Sequence, residues 1–402
     1  MCPAAPRTTP PPAPPPAPPV PTVGVEEEFF LLHPDGSTAA VAPQVLGDLP
    51  VGRRFQAEWM QFQIESATGV CTDLGALAAE MTAGRRAVAR AAAARGAEMI
   101  SSGTAPFRSS GPGAHTEDDR YQRIRDRFPG LADEVVACGA HVHVGVPSRA
   151  TGVETLNRVR GWLPLLLALS GNSPMWDGGD SGWESYRHKV FSRWPTARVA
   201  PWCRDPDAYD AALAECIAAE AVDAGSVYWY ARLSPRFPTV EFRIADTGLT
   251  VADTLLQAAL CRAMVATAIA EAAAHQPVVV VPEAVLEDSL VGAARYGLGT
   301  LLVDPRTGVL APGPAVLYRL VEHLRPALLA AGDWTTVAQL VTQRRTQKSG
   351  SARQRALRKR LDHVGFVAAL AAASVPGDPG PVGAAYAGGP VAGIGHDEED
   401  GR

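Results

Sequence analysis

Three short stretches of the chain place acids or histidines two residues apart inside apolar, strand-like sequence. They are Gly24-Val25-Glu26-Glu27-Glu28-Phe29-Phe30, Ala140-His141-Val142-His143-Val144 and Thr239-Val240-Glu241-Phe242-Arg243-Ile244. Side chains alternate faces along a strand. Glu26 and Glu28 therefore share a face, as do His141 and His143, and Glu241 and Arg243. In the last two stretches the opposite face is apolar. Charges are costly at inward strand positions unless they are paired or ligated. The alternation predicts one sheet with a charged face that holds cations and phosphates.

The 402 residues, 47% hydrophobic and 20% charged, are ample for a large core. A net charge of -5 gives no reason to expect nucleic acid or an anionic membrane as a partner. No apolar run reaches the roughly 18 residues of a membrane span. The N-terminus lacks the apolar core of a secretory signal, and no lipobox-like segment precedes Cys2. The six cysteines form no C-x-x-C pair. Scattered cysteines in a chain of this size suggest reduced thiols and a cytoplasmic setting.

Residues 1–20 are mostly proline and alanine and read as a disordered tail. Residues 374–402 are rich in Gly, Pro and Ala, end on an acidic cluster, and read the same way. Between them, 21–373 is expected to form one catalytic domain. Strands are expected near 22–32, 59–65, 140–146, 227–233 and 239–245. Helices are expected near 74–97, 152–170, 206–221, 251–274, 314–331 and 352–373, the first capped by Thr72 or Asp73. Strands and helices do not alternate regularly, and there is no G-x-G-x-x-G or G-x-x-x-x-G-K-[ST]. An α+β fold with an antiparallel sheet follows, rather than a doubly wound nucleotide fold.

Glu26 and Glu28 repel one another on one face unless a cation lies between them. Hard divalent ions prefer carboxylate oxygens and retain substrate phosphates; a solvated strand edge is the alternative. In Glu58-Trp59-Met60-Gln61-Phe62-Gln63-Ile64-Glu65, Met60, Phe62 and Ile64 mark a buried face, and Gln61, Gln63 and Glu65 the other. Glu58 has the wrong parity to join Glu65 on a flat strand and needs a bulge or turn near Trp59. His141 and His143 suit a metal or a phosphate, and H-x-H spacing alone does not fix the metal. Glu241 and Arg243 read as a metal ligand beside a phosphate clamp, or as a cross-strand ion pair. Asp246 is placed at the strand end, capping a turn. Tyr186, Arg187 and Arg193 suggest a substrate-facing loop and helix start, with an ordinary surface loop as the alternative. The basic segment 346–355 could reach a polyphosphate or be a solvated helix.

Taken together and in order, several signatures resemble the YbdK-type carboxylate–amine ligases, also called the glutamate–cysteine ligase type 2 group. They are Gly24-Val25-Glu26-Glu27-Glu28-Phe29, Cys138-Gly139-Ala140-His141-Val142-His143-Val144-Gly145, Gly171-Asn172-Ser173-Pro174, Ser185-Tyr186-Arg187 with Trp194-Pro195-Thr196, Val240-Glu241-Phe242-Arg243 with Asp246, Ala294-Arg295-Tyr296-Gly297, and Ala352-Arg353-Gln354-Arg355. The resemblance covers residues 22–373. It implies a curved antiparallel sheet flanked by helices, the glutamine synthetase/guanido kinase-like catalytic fold. It implies ATP with Mg²⁺ or Mn²⁺. Glu26, Glu28, Glu65, His141 and Glu241, with Glu58, are then metal ligands. Arg243 and His143 contact the transferred phosphate. Tyr186, Arg187, Arg193 and Arg232 are assigned to substrate, and Arg243, Arg295, Arg353 and Arg355 to the nucleotide.

The implied reaction joins a small carboxylic acid to an amine through an acyl phosphate, nominally glutamate to cysteine. The implied assembly is a homodimer, with no nucleic acid or membrane partner. A guanidino phosphotransferase, a catalytically silent nucleotide-binding homologue and a metal-dependent hydrolase are the competing readings. The sequence departs from the family at Arg232-Leu233-Ser234-Pro235, where Arg-Pro-His-Pro is usual. It departs again at Phe237-Pro238-Thr239 in place of Phe-Gly-Thr, and at Arg198 in place of Gly. Retained ATP chemistry with a different acid or amine is the expectation from these differences.

Overall fold

The computed structural model describes residues 20–107 and 114–375. The expected tails lie outside them, apart from Val20 at one edge and Ser374–Val375 at the other. Ser374 does not open a tail. It ends the helix His363–Ser374 and is fully buried.

Eleven strands are described: β1 (Val23–Leu32), β2 (Phe55–Ala57), β3 (Gln63–Ala67), β4 (Glu98–Ile100), β5 (Gly139–Gly145), β6 (Met175–Trp176), β7 (Gly179–Asp180), β8 (Ala231–Leu233), β9 (Thr239–Asp246), β10 (Leu301–Asp304) and β11 (Val309–Pro312). Seven of them form one sheet in the order β2-β3-β1-β5-β9-β8, with β4 added along the far half of β1. All these pairings are antiparallel. β6–β7 and β10–β11 are separate hairpins. An α+β fold with helices flanking an antiparallel sheet is therefore what the chain adopts.

Helices cover the back of this sheet. Leu74–Ala93 is capped by Asp73, whose carboxylate accepts from Ala76 N at 2.8 Å. Val251–Ala273 opens on a reciprocal Thr250/Asp253 capping box. This second helix is long and apolar enough to cross a membrane by length and composition, so an apolar run of the spanning class is present after all. About two thirds (67%) of its most apolar window is buried inside the protein, and it carries the buried polar residues Thr254, Gln257 and Arg262.

Glu27, between the two front-facing acids, points backward. It meets Arg85 of the helix Leu74–Ala93 at 2.5 and 3.1 Å. Arg85, at 0% exposure, also donates to the carbonyls of Gly248, Leu249 and Ser374. A buried arginine is tolerable only when its donors are engaged in this way. The contact ties the central strand to the last helix.

Several expected elements are shorter or broken. The expected strand near 59–65 is a turn followed by β3, because the chain reverses after β2. Of 227–233, only Ala231–Leu233 pairs; Val227 closes a 3₁₀ turn and Tyr230 N donates to Arg198 O at 2.9 Å. The expected helix 152–170 is Arg149–Val159, a 3₁₀ turn, and Leu163–Ser170 with Pro164 in its first turn. The expected helix 352–373 divides into Gly350–Arg358 and His363–Ser374, the second capped by Asp362. The helices Glu283–Tyr296 and Trp334–Gln347 were not anticipated.

Candidate active site

The register of the sheet turns three separate alternations into one surface. Glu28 stands opposite Glu65, and Glu65 opposite Gln56. Glu26 stands opposite His141. His143 stands opposite Glu241, and Glu241 opposite Arg232. These side chains run across six strands along one wall of a cavity of about 450 Å³.

β9 carries a bulge in this region. Arg243 and Ile244 together face the single residue His141, while the ladder is regular on both sides. An extra residue shifts side-chain parity by one. Glu241, Arg243 and Asp246 consequently share the cavity side, although 243 and 246 differ in parity. Arg187 holds the bulge, donating to Ile244 O at 3.2 Å and Arg243 O at 3.3 Å. Gly139 makes room for it, since a Cβ there would lie 2.3 Å from Arg187 Nη2. Asp246 does not cap a turn. It is buried and accepts from Ser173 Oγ and Ser185 Oγ, each at 2.6 Å, and from Asn172 N at 2.9 Å. It thereby secures the Ser185–Tyr186–Arg187 corner.

Within the cavity, His141 Nδ1 is 3.2 Å from Glu26 Oε2, and its Nε2 is 3.5 Å from Glu28 Oε1. His143 Nδ1 pairs with the Thr239 hydroxyl at 3.0 Å, and its Nε2 is 3.5 Å from Glu26 Oε1. Glu28 accepts from Gly139 N at 2.6 Å. Glu65 accepts from Gln56 Nε2 at 3.0 Å. Glu241 is held between Arg232 (Nε to Oε2, 3.0 Å) and Arg243.

The electrostatics divide the acids. Burial works against ionisation of Glu26, but His141 and His143 outweigh it and hold the carboxyl well below its usual range. Burial likewise opposes ionisation of Glu241, and Arg243 and Arg232 overcome it. Glu58 lacks such a partner: burial, then Glu28, push it up to about 8. Glu65 is pushed well above the carboxylate range by burial, then by Glu26, Glu58 and Glu28. Burial, then Arg243, lower the pKa of His141 against the pull of Glu28 and Glu26.

This carboxylate-rich, cation-poor corner is what a divalent ion would relieve. Two donor sets, Glu26–His141–Glu241 and Glu28–Glu65–His141, each bring their ligand atoms within 4.8 Å of one another. Mostly oxygen donors with one neutral imidazole suit Mg²⁺ or Mn²⁺ better than a thiolate-preferring metal. Among the described residues the five cysteines are buried and none belongs to either set.

The other sequence candidates divide. Arg187 and Arg232 line the cavity, as do Glu58 and His143. Glu58 reaches it because the chain turns after β2, not through a bulge in a continuous strand. Tyr186 lies outside, its ring 5.1 Å from that of Trp176. Arg193 pairs with Glu134 at the surface at 2.5 Å. Arg295 stands over Trp183 and Tyr296. Arg353 binds Asp253, and Arg355 binds Asp180, Glu184 and the Trp183 carbonyl. Those last three arginines therefore gather around other acids and rings, away from the cavity wall.

Sequence reading missed the opposite wall. Trp59, Tyr121, Trp194, Tyr228 and Phe191 form a chain of ring contacts with centroids 4.9–6.5 Å apart. Arg120 stands beside them, paired with Asp223 at 2.9 Å. Ser234, Pro235, Arg236 and Phe237 complete the cavity rim, with Phe237 edge-on to His143. These are the residues of the departing loop. Arg236 alone among the cavity arginines has no side-chain partner among the described residues. Arg198, the third departure, points elsewhere, to Glu220 and the Pro195 carbonyl.

The model of glutamate–cysteine ligase family 2 matches residues 22–374. The chain belongs to this family. A Frankia alni protein provisionally named glutamate–cysteine ligase 2-2 is 40% identical over 366 residues, covering 86% of this chain and 95% of that protein. A Rhodopirellula baltica protein provisionally named glutamate–cysteine ligase 2 is 36% identical over 345 residues, covering 84% and 93%. Among solved structures, the fold is similar to a Francisella tularensis glutamate–cysteine ligase in complex with AMP (TM-score 0.68, 11% identity, 87% of each chain). It is also similar to a Pasteurella multocida bifunctional glutathione synthetase (TM-score 0.65, 14% identity), covering 87% of this chain and 52% of that one. At those identities the likeness is one of fold. For this family 2 ligase, the charged sheet face and its cavity lie wholly within the matched residues.

Proposed function

We propose that the chain is an ATP-dependent carboxylate–amine ligase. A substrate carboxylate oxygen attacks the γ-phosphorus of ATP, the bond to the bridging oxygen breaks, and ADP leaves. The amine nitrogen of the second substrate then attacks the acyl-phosphate carbonyl. The carbon–oxygen bond to phosphate breaks, the departing phosphate takes the amine proton, and an amide remains. Family membership makes glutamate and cysteine the nominal pair, giving γ-glutamylcysteine. The change at Ser234 on the cavity rim, with Leu233 and Pro238 altered on either side of the loop, supports a different acid or amine.

The single observation that carries this reading is the continuous row of Glu65, Glu28, Glu26, His141, His143 and Glu241 with Arg243 along one cavity wall. Mg²⁺ or Mn²⁺ would be held by Glu26, His141 and Glu241 and by Glu28 and Glu65, with Glu58 beside them. When bound, such an ion neutralises charge on the phosphate oxygens. Arg243, fixed by Glu241, offers its guanidinium to the transferring phosphoryl group. His143, anchored by Thr239, turns Nε2 toward Glu26 on the same face. The aromatic wall gives the cavity an apolar side against which an acyl phosphate would be shielded from hydrolysis. Most of the rate enhancement then comes from positioning.

The test is incubation with ATP, Mg²⁺ and a panel of acids and amines, read by mass spectrometry. ADP, phosphate and an amide support the reading. AMP and pyrophosphate would establish adenylation instead, and a phosphorylated guanidine would establish phosphotransfer.

A further inference from the structure

A second cavity of about 250 Å³ lies between the end of the helix Arg149–Val159, the segment 276–281 that follows the helix Val251–Ala273, and the turn after β10. None of its lining residues belongs to the sheet cavity. Its lining mixes charged side chains with apolar ones, among them Trp162, buried and stacked on His323, and Trp202 and Val280, both exposed.

The charges within it are unequal in their commitments. Arg158 is fully engaged, binding Glu154, Glu271 and the Gln276 carbonyl. Glu271 is shared between Arg158 and His323, the latter at 3.2 Å. The Arg160 side chain makes no hydrogen bond and no ion pair among the described residues, and its Nε is buried without a partner. Burial pulls its pKa down, and Glu283 opposes this only through space. A half-buried guanidinium without a hydrogen-bonding partner is costly. Arg306, exposed on the turn after β10, likewise has no side-chain partner among the described residues.

We propose that this cavity is a binding site for a small aromatic carboxylate, the carboxylate on Arg160 and Arg306 and the ring between Trp162, Trp202 and Val280. Arginine's planar fork matches a carboxylate. Trp202, Val279 and Val280 present exposed apolar surface that a ring would cover. The volume is below the roughly 300–1,000 Å³ of sites that hold drug-sized molecules, so the occupant is small. The site is separate from the ligase chemistry and stands whether or not that reading holds.

Titration calorimetry and tryptophan fluorescence of the full chain with benzoate, inorganic phosphate and benzylamine test the assignment. One benzoate per chain is expected, with phosphate at least tenfold weaker and benzylamine silent. Arg160→Gln should weaken benzoate at least tenfold, and Arg306→Gln several-fold. Saturating Mg·ATP should leave benzoate binding unchanged. Displacement by Mg·ATP, phosphate binding as tightly as benzoate, or no benzoate binding at millimolar concentration would overturn the proposal. Because Arg306 is exposed, Arg306→Gln keeps the test decisive should Arg160→Gln fail to fold: unchanged benzoate affinity in a folded Arg306→Gln protein also overturns it.

Discussion

Arg232 grips Glu241 from the neighbouring strand, with Nε–Oε2 at 3.0 Å and Nη2–Oε1 at 3.3 Å, both side chains buried. Its remaining donors reach the carbonyls of Ala224 and Val227. Arg232→Leu leaves Glu241 still paired with Arg243, so it should cost only the worth of a charge-assisted hydrogen bond, about 1.5–3 kcal/mol in urea unfolding. Glu241→Leu strands both arginines and should cost more, about 3–5 kcal/mol. A smaller loss in Glu241→Leu than in Arg232→Leu would show that Glu241 is not what holds the two arginines.

Glu65 belongs to one proposed donor set only. Glu65→Gln should remove one Mn²⁺ equivalent in an electron paramagnetic resonance titration. Gln56→Leu, which deletes the donor to Glu65, should weaken that ion by about 10–100-fold. Arg193→Ala, at the surface on Glu134, should change neither stoichiometry nor affinity.

His188 gives a pH signature away from the proposed ligands. It is buried against Tyr230 and beside Arg187, and burial, then Arg187, lower its pKa to about 3. Below about pH 6.5 the unfolded chain binds a proton that the native state refuses. Its stability contribution is thus complete above 6.5 and falls as pH drops, reaching a loss of about 2 kcal/mol at pH 5. The depressed carboxyls of Glu26 and Glu241 act below about 4.5, outside this window, whereas the raised Glu58 and Glu65 oppose His188 within it and the lowered His141 adds to it, in parent and variant alike. On going from pH 7 to pH 5 the unfolding free energy of His188→Asn should therefore end about 2 kcal/mol higher, relative to its own pH 7 value, than that of the parent.

Arg236 is the uncommitted cation of the cavity rim. If the acid substrate carries a second anionic group, Arg236→Gln should raise its KM about tenfold, the worth of one charge-assisted hydrogen bond. The kcat should stay within about threefold, because Arg236 makes no contact with the phosphoryl-binding row. An equal fall in kcat with unchanged KM would move Arg236 to the chemical step.

The period-two pattern made β1, β5 and β9 legible, because a charged residue on a half-buried strand announces its face. The register could not be read from spacing, since cross-strand partners such as Glu28 and Glu65 are 37 positions apart. Glu27 looked like part of the same acidic run, yet its partner Arg85 comes from a helix behind the sheet. Tyr121 and Tyr228 come from outside the strands, and no periodicity marks such positions. The arginines at 295, 353 and 355 carried a family signature, but their side chains are taken up by nearby acids and aromatic rings.

The β9 bulge makes this site sensitive to length as well as to identity. Deleting one residue between Phe242 and Ala245 would let β9 pair evenly with β5. It would keep Glu241 and Asp246 on one side but flatten the bulge whose Arg243 and Ile244 carbonyls Arg187 holds, so that the Ser185–Tyr186–Arg187 corner loses its grip on β9. Side chains along this segment can be exchanged in a mutational scan, whereas the reading frame of the strand cannot be shortened without uncoupling the site from the corner that braces it.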